Sequence, residues 1–518
     1  MTSAVKHQLF RLIKSLSKAE KRNFTIYSTR AAGNAKSKFI QLFQLLDRLE
    51  EPDDDLVTTR LKLSPGQYSN LKRHLYSQVL TSLRLLHITG EIDIELREQL
   101  DFARILYGKG HYLDALRLLE RAKTKAVEHS QDLIHLEILE FQKVIEARHV
   151  TLSRQVHNKM DLLLNESAER SYSVLNTSEL FNMNIQIHGR YIEAGHSRNA
   201  AEKRENAAFW NEIQTVRVDR ETVASTFHQK INRFQAAMWY HYIQLDFVEA
   251  LEAAVNAAVL FQLSSKMIVK DPDLYLRCLY YVCVFAYLTH NERELARYLN
   301  RLREFLDDKD VKLNENSRRI GFVYRFLSEF NLHFLRRDDD AAAALAERVR
   351  ALHAEKTFRP GPHRWALFLY KFAAAAFRVG AYSDALDHLN DILNGSVTRL
   401  RDELVISTRL LHALCHFELG NYSLVEYHLN SLVRLLRRSP ATAEMHRTLA
   451  SGLRKLINTP VYERPAVFEK LTSDVNALRS IPFESKALQY LEAGDWLALH
   501  TTSRPAESDV AARFPLGL

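Results

Sequence analysis

The sequence FRVGAYSDALDHLNDI, residues 377–392, carries the pattern on which the fold prediction rests. Gly380 suits the left-handed position that ends a helix, and Tyr382 and Ala385 begin a second helix whose apolar face continues at helical spacing. The frame returns twice, as Gly110, Tyr112, Ala115, Leu119 and Ala122 and as Gly420, Tyr422, Val425, Leu429 and Leu432. The chain is therefore predicted to contain repeated pairs of helices.

Small or apolar residues mark the start of the second helix in each predicted pair, mostly at intervals of 40–50 residues. They are Ala115, Ala200, Ala250, Ala296, Ala343, Ala385 and Val425. In the best copies another alanine lies twelve residues earlier, as Ala103, Ala373 and Ala413. Because antiparallel helices approach closely only where small side chains leave room, this spacing predicts helical hairpins.

The composition favours helices throughout. The chain of 518 residues has only 15 glycines and 11 prolines, and no proline occurs between Pro65 and Pro272. Alternating Val, Ile and Thr segments typical of strands are missing. With 46% hydrophobic and 26% charged residues, the chain can bury a continuous core and keep a polar surface. We therefore predict an all-α fold, an α-solenoid of antiparallel helical hairpins with irregular repeats of 40–50 residues and helical caps at both ends.

The repeat frame resembles the tetratricopeptide repeat. That family combines a small residue on the first helix, a glycine before the turn, an aromatic residue after it and an alanine on the second helix, as in Ala373, Gly380, Tyr382 and Ala385. The repeats here are longer than the usual length of about 34 residues. The sequence LSKAEKRNF, residues 16–24, is similar to the opening of bacterial helical-repeat proteins of uncharacterised function. The resemblance implies a protein-binding scaffold and brings no known activity.

Four regions are predicted along the chain. Residues 1–90 form a basic N-terminal helical region, and residues 91–438 form the α-solenoid. Residues 439–502 form a C-terminal helical cap in which the last helix, 484–501, contains Trp496. Residues 503–518 are predicted to be a flexible tail.

The positive net charge of +8 belongs to the N-terminus, because residues 1–46 hold nine lysines and arginines against one acid. Helices at residues 56–63 and 67–88 flank the turn Ser64-Pro65-Gly66 and have the outline of a helix-turn-helix. Its exposed polar residues would be Gln67, Asn70, Lys72 and Arg73. Nucleic-acid recognition is one interpretation. We prefer a cap for the repeats with a solvated basic surface, because the second helix is too long for a typical recognition helix.

Chemical signatures are scarce. The sequence lacks the glycine spacing of phosphate-binding loops, and it has no CxxC, HExxH or GxSxG motif. The best metal candidate is His412, Cys415 and His416, because residues three and four apart share one helix face. We interpret these residues as helix packing. No catalytic residue, cofactor-binding residue or metal site is predicted, and the chain is expected not to be an enzyme.

Aromatic residues are dense in two segments. They are Phe234, Trp239, Tyr240 and Tyr242 in the first, and Tyr275, Tyr280, Tyr281, Phe285 and Tyr287 in the second. Such rings either line a peptide-binding groove or fill the core. Core packing is the preferred interpretation, because each helix of a stacked array is buried on more than one side.

The function expected from these features is protein binding. Cys278, Cys283 and Cys415 lie in apolar helical patterns and are predicted to be buried thiols in a reducing compartment. The sequence shows no signal peptide and no membrane span, so a cytoplasmic location is predicted. The leading hypothesis is a scaffold that binds a peptide or protein on its concave face. The alternative is a regulator whose basic N-terminal region binds nucleic acid while its repeats sense a partner.

Overall fold

The computed structural model describes residues 7–32, 38–88, 90–149, 159–218, 226–311, 313–355, 360–395, 402–439, 443–488 and 493–501. Within these ranges the regular structure is helical, with no strand. The all-α prediction is thus confirmed for the described residues. By its contacts the chain divides into two compact units, Met1–Val174 and Leu175–Leu518. The predicted tail, 503–518, lies outside the described residues.

The first unit contains eight described helices and the start of a ninth. They are α1 (Gln8–Ser15), α2 (Lys18–Ala32), α3 (Lys38–Arg48), α4 (Asp54–Leu61), α5 (Pro65–His87), α6 (Ile92–Gly108), α7 (Tyr112–Glu128), α8 (Asp132–His149) and α9 (Lys159–Ala194). Helices α1 to α5 enclose one core around Ile13, Leu42 and Leu75. Helices α6 to α8 enclose another around Leu100 and Leu119. The basic N-terminal helices therefore have their own core.

Two helix starts in this unit follow from capping. Ser17 and Glu20 form a capping box: the Ser17 backbone N–H donates to Glu20 Oε2 at 2.7 Å, and the Glu20 N–H donates to Ser17 Oγ at 3.2 Å. The predicted helix start at residue 67 is two residues late. Ser64 is the N-cap of α5 and Pro65 occupies its first turn, where a missing N–H costs nothing.

The second unit contains the remaining helices. They are α10 (Ala200–Val218), α11 (Phe227–Gln244), α12 (Phe247–Leu263), α13 (Lys266–Lys270), α14 (Pro272–Leu288), α15 (Glu292–Asp307), α16 (Glu315–Arg336), α17 (Asp339–Ala354), α18 (Pro362–Arg378), α19 (Tyr382–Asn394), α20 (Asp402–Glu418), α21 (Tyr422–Leu436), α22 (Glu444–Ile457), α23 (Arg464–Arg479), α24 (Pro482–Ala487) and α25 (Ala493–Thr501). From α14 to α22 each helix packs on the next along the chain. In addition, α14, α16, α18, α20 and α22 pack on one another in succession. This ordered packing is consistent with a helical repeat.

The turn between paired helices has one geometry in several copies. Gly110, Gly380 and Gly420 have φ values of 84°, 79° and 73°. In each case the following residue donates its N–H to the carbonyl five residues back, for example Ala381 to Ala376 at 2.9 Å. This is the bond that closes a helix with a left-handed cap. The glycine expected from the sequence therefore has its predicted role.

The same turn also forms without glycine. Leu245, His290 and Arg337 have φ values of 63°, 53° and 55°, and the residue after each makes the equivalent backbone bond. The pairs α11–α12, α14–α15 and α16–α17 therefore follow the frame although their sequences match it loosely. A side chain in the left-handed region costs free energy that glycine avoids.

The turns also correct the sequence alignment. Five residues after each turn lies a fully buried residue, and in the α14–α15 and α16–α17 pairs it is Leu295 and Ala342. The predicted positions Ala296 and Ala343 were wrong by one residue, because the alignment followed alanine rather than the turn. Ala200 is exposed at the start of α10 and is not equivalent. The buried positions predicted at Ala115, Ala250, Ala385 and Val425 are confirmed.

The end of the chain packs against the ends of earlier helices. Two helices, α24 and α25, occupy the segment predicted as one. Trp496 on α25 is 1% exposed, and its Nε1–H donates to Glu418 Oε1 at 2.6 Å. Asp495 lies 3.2 Å from the Arg337 guanidinium and 4.0 Å from that of Arg378. No helix in the described ranges is long and apolar enough to cross a membrane.

Candidate functional site

Tyrosines and basic residues lie side by side on α14, α16 and α18. We call this surface the tyrosine–cation face; its members are Arg277, Tyr280, Tyr281 and Tyr287 on α14, Tyr324 on α16, and Arg364 and Lys371 on α18. Tyr280 stacks on Tyr324 with ring centroids 4.1 Å apart. The Arg277 guanidinium lies beside Tyr324, and that of Arg364 lies beside Tyr280. The two guanidinium groups are thus held beside tyrosine hydroxyls.

Lys371 lies among rings in the same face. Its Nζ donates to Asn331 Oδ1 at 2.8 Å and lies 5.1 Å from the ring centroid of Tyr287 and 4.9 Å from that of Phe334. Burial, and then the charge of Arg378, lower the pKa of Lys371 to about 7. The ammonium form is therefore poorly solvated, and a nearby carboxylate would stabilise it.

The tyrosines of the face are enclosed and yet in contact with solvent. Burial raises the pKa of Tyr280 and Tyr281, and it raises that of Tyr287 to about 12. Each of the three nevertheless keeps part of its surface accessible to water. A side chain that is largely surrounded by protein and still reached by water can contact a ligand that displaces that water.

The other rings singled out in the sequence have structural roles. Tyr275 contacts Phe261 and Phe305, and Phe285 is buried. In α11, Trp239 stacks on His188 and Tyr240 stacks on Trp210. Tyr242 contacts Tyr191, His196, Phe247 and Phe285, and Phe234 packs on the core. Core packing is thus confirmed for these rings, and Tyr280, Tyr281 and Tyr287 pack against the core while keeping part of their surface accessible.

The cations of this face were missed at the sequence level. A signal was present: Arg364, Lys371 and Arg378 recur every seven residues, which places them on one side of α18. The helix α18 contains no aspartate or glutamate. Net charge counted over the whole repeat region conceals this local excess, because acidic residues are concentrated on other helices such as α19.

A second cluster consists of His412 and His416 on α20 and His428 on α21. One ring nitrogen from each lies within 4.8 Å of the others. The ring centroids of His412 and His428 are 4.3 Å apart. Burial, followed by His428, His416 and Arg409, lowers the pKa of His412 to about 3. Burial also lowers the pKa of His416 and that of His428. The three imidazoles are therefore neutral at pH 7, with a lone pair on each.

Cys415 does not join these histidines. Its side chain is fully buried, and burial raises the pKa of its thiol well above the usual range. The thiols of Cys278 and Cys283 are also buried, and burial raises the pKa of each to about 12. None of the three is in a disulfide. The prediction of buried thiols is confirmed, and such thiols are poor nucleophiles.

The helix-turn-helix candidates are partly used within the fold. Gln67 completes the cap of α5, with Oε1 accepting the Ser64 N–H at 3.0 Å. Lys72 Nζ lies 3.3 Å from Asp54 Oδ2 and over the ring of Tyr68. Asn70 and Arg73 are exposed. Nucleic-acid binding by this region stays a prediction.

Neither a protein-family model, nor a curated protein, nor a solved structure matches the chain. The resemblance to tetratricopeptide repeats therefore rests on the turn residues and their geometry.

Proposed function

We propose that this chain is a non-enzymatic interaction protein whose tyrosine–cation face binds an acidic peptide segment of a protein partner. The observation that carries the proposal is the placement of Arg277, Arg364 and Lys371 beside enclosed but solvent-accessible tyrosines. Tyrosine and arginine supply much of the binding energy at protein interfaces. Basic groups that lie close together also attract carboxylates.

The fold we propose for this function is a tetratricopeptide-like α-solenoid of antiparallel hairpins. Its support is the succession in which α14, α16, α18, α20 and α22 pack on one another, together with the shared turn geometry. In such an array the first helix of each pair lines the concave surface. The tyrosine–cation face belongs to three first helices and so would follow that surface.

The acidic character of the partner is supported by the carboxylate contacts of Arg378, which continues the row of Arg364 and Lys371 along α18 beyond the face. At the end of α18, Arg378 pairs with Asp339, and its Nη1 lies 4.0 Å from Asp495. A peptide carboxylate near Lys371 would stabilise the charged form of that amine. Aromatic side chains of the peptide would stack on the accessible tyrosine rings.

Binding can be measured by fluorescence anisotropy with three labelled peptides of equal length and aromatic content that are acidic, neutral or basic. We expect the acidic peptide to bind most tightly and its affinity to fall as salt is raised. The double variant Arg277→Gln/Arg364→Gln should weaken binding by about tenfold, because it removes two positive charges from the face. Both side chains are exposed, so the fold should persist.

The matched control is Arg350→Gln on α17, a second helix, where Arg350 makes an exposed pair with Glu347. It removes the same kind of charge away from the face and should leave binding unchanged. Equal affinity for the acidic and neutral peptides, or equal loss in the control and the double variant, would disprove the proposal.

A further inference from the structure

The histidine cluster has the arrangement of a metal site. His412 and His416 are four residues apart and lie on the same side of α20, while His428 faces them from α21. Their nearest ring nitrogens lie within 4.8 Å of one another. Around a tetrahedral ion with metal–nitrogen bonds of about 2.0–2.1 Å, ligand nitrogens are roughly 3.3 Å apart. Small rotations of the imidazoles would close that difference.

We propose that His412, His416 and His428 bind one divalent transition-metal ion of the zinc, cobalt, nickel or copper class. Imidazole nitrogens suit these ions, whereas magnesium and calcium prefer oxygen ligands. Three protein ligands leave a fourth position for water or for a group from a binding partner. This site is separate from the tyrosine–cation face and does not depend on the function proposed for it.

His412 has one ring nitrogen that is free to bind a metal. Its Nε2 lies 3.1 Å from Asn390 Oδ1, so an N–H at Nε2 donates to that oxygen and the lone pair is on Nδ1. His412 is 3% exposed, and its Nδ1 is buried without a hydrogen-bond partner among the described residues. An unsatisfied buried acceptor costs free energy, which a metal bond would remove. Outer hydrogen bonds of this kind commonly fix metal-binding histidines.

The other two histidines can reach the same ion. His416 Nδ1 lies 3.5 Å from the Asn421 side-chain amide, a weak contact. A half-turn of that amide would let its oxygen accept from Nδ1–H and leave Nε2 to bind the metal. His428 is half-buried, so solvent gives an ion access to the cluster.

The neighbouring pair shows that helix packing does not require these histidines. Counting forty residues back along the repeat frame, the positions of His412, His416 and His428 are occupied by Phe372, Ala376 and His388. Phe372 and His388 pack edge to face, with ring centroids 5.6 Å apart. In that pair, a phenyl ring and a methyl group fill the positions of His412 and His416, so packing of the helices does not need imidazoles. His412 and His416 therefore have a chemistry that packing alone does not require.

One nearby charge opposes a cation. The Arg409 guanidinium acts on both His412 and His428, and its Nη1 donates to Ser431 Oγ at 3.0 Å. Its repulsion should reduce the affinity of the site without removing the ligands. Replacing Arg409 by glutamine should therefore tighten metal binding several-fold, whereas replacing a histidine ligand should weaken it.

The test uses the untagged full-length protein after chelator treatment and dialysis. Cobalt(II) chloride is titrated while the visible absorption bands are recorded, because tetrahedral cobalt absorbs far more strongly than octahedral cobalt. We expect saturation at one ion per chain and displacement by zinc. His428→Gln should weaken zinc binding, measured by calorimetry, by roughly a hundredfold. Asn390→Ala, which keeps all three ligands, should weaken it by about tenfold.

The matched control is His388→Gln, which changes the equivalent histidine of the neighbouring pair and should leave cobalt and zinc binding unchanged. At one zinc concentration, the thermal unfolding temperature of the wild type should rise more than that of His428→Gln, because the folded wild type binds zinc more tightly. The proposal is overturned if the wild type shows no saturable binding. It is equally overturned if His428→Gln binds like the wild type or if His388→Gln loses as much as His428→Gln.

Discussion

The neighbouring pairs α18–α19 and α20–α21 share a frame and differ in the side chains that it presents. Both have a fully buried alanine on the first helix, Ala373 and Ala413, and a left-handed glycine at the turn. A ring before the turn meets a tyrosine after it, with centroids 5.3 Å apart for Phe377–Tyr382 and 5.7 Å apart for Phe417–Tyr422. The scaffold is therefore nearly the same in the two pairs.

Other matched positions differ in chemistry. Where α18 has Phe372 and Ala376, α20 has His412 and His416. Where α18 has Lys371 in the tyrosine–cation face, α20 has the buried Leu411. One pair thus contributes cations to the proposed peptide surface and the next contributes imidazoles to the proposed metal site. The lesson is that the frame residues determine the fold, while function has to be sought at the positions where equivalent pairs disagree.

The largest expected effect tests the shared frame. Leu389 and Leu429 occupy matching, fully buried positions. Leu389→Ala and Leu429→Ala should each lower the free energy of unfolding by about 3 kcal/mol, because each leaves a cavity. Urea unfolding followed by circular dichroism measures the loss. Leu424→Ala, at a side chain 43% exposed, is the control and should change it by under about 0.5 kcal/mol. A large loss at one leucine and not at the other would show that the two pairs do not share the same frame.

The next effect concerns the position where a histidine replaces a phenylalanine. The pKa of His412 is lowered to about 3, so below about pH 6.5 the unfolded chain binds a proton that the folded chain does not. Stability should therefore fall as pH decreases. Between about pH 6.5 and 5, protonation of this residue in the unfolded chain should lower the free energy of unfolding of the wild type by about 2 kcal/mol. His412→Phe should not show this loss. Unfolding curves in metal-free buffer test this, and parallel pH profiles for the two proteins would contradict it.

A smaller effect concerns the turn. A β-carbon added at Gly380 or Gly420 meets no atom within 4 Å, so only the backbone conformation opposes a side chain. Gly380→Ala and Gly420→Ala should each cost about 1 kcal/mol. Gly361→Ala, at a glycine with negative φ and the same open surroundings, is the control for adding a methyl group. Unequal costs at the two turns would show that the pairs are not equivalent.

The smallest effect extends the comparison to a pair without a turn glycine. His290 is exposed and has φ of 53°. His290→Gly should raise the free energy of unfolding by about 0.5 kcal/mol, since glycine relieves the left-handed strain while the unfolded chain gains entropy. Denaturant melts of adequate precision measure this gain. A loss of stability would mean that the imidazole has a role that its exposure does not suggest.

The sequence was sufficient for the fold class and for the turns that contain glycine. Gly380, Tyr382 and Ala385 have local conformational preferences strong enough to be recognised without tertiary information. Leu245 shows the limit of these local preferences. Leucine does not favour left-handed backbone, so the packing of the helix pair imposes that conformation here. The alignment therefore slipped by one residue in two of the pairs without a turn glycine.

The candidate sites were harder to predict because they join residues from different helices. His412 and His416 are recognisable from their spacing on α20, but His428 enters only once α21 is packed beside it. The forty-residue repeat offered a route, since it aligns His428 with His388 and exposes the difference at the first two positions. Likewise, Lys371 acquires its surroundings from Asn331 on α16 and Tyr287 on α14.

The last helix, α25, affects how the second unit unfolds. Its Asp495 reaches Arg337 and Arg378, and its Trp496 reaches Glu418, so it touches residues at or next to the ends of α16, α18 and α20. An array in which each pair contacts only its neighbours loses its terminal pair first and frays inward. A segment that ties three successive pairs together opposes this fraying. Release of α25 should therefore favour the loss of single pairs from this end of the chain.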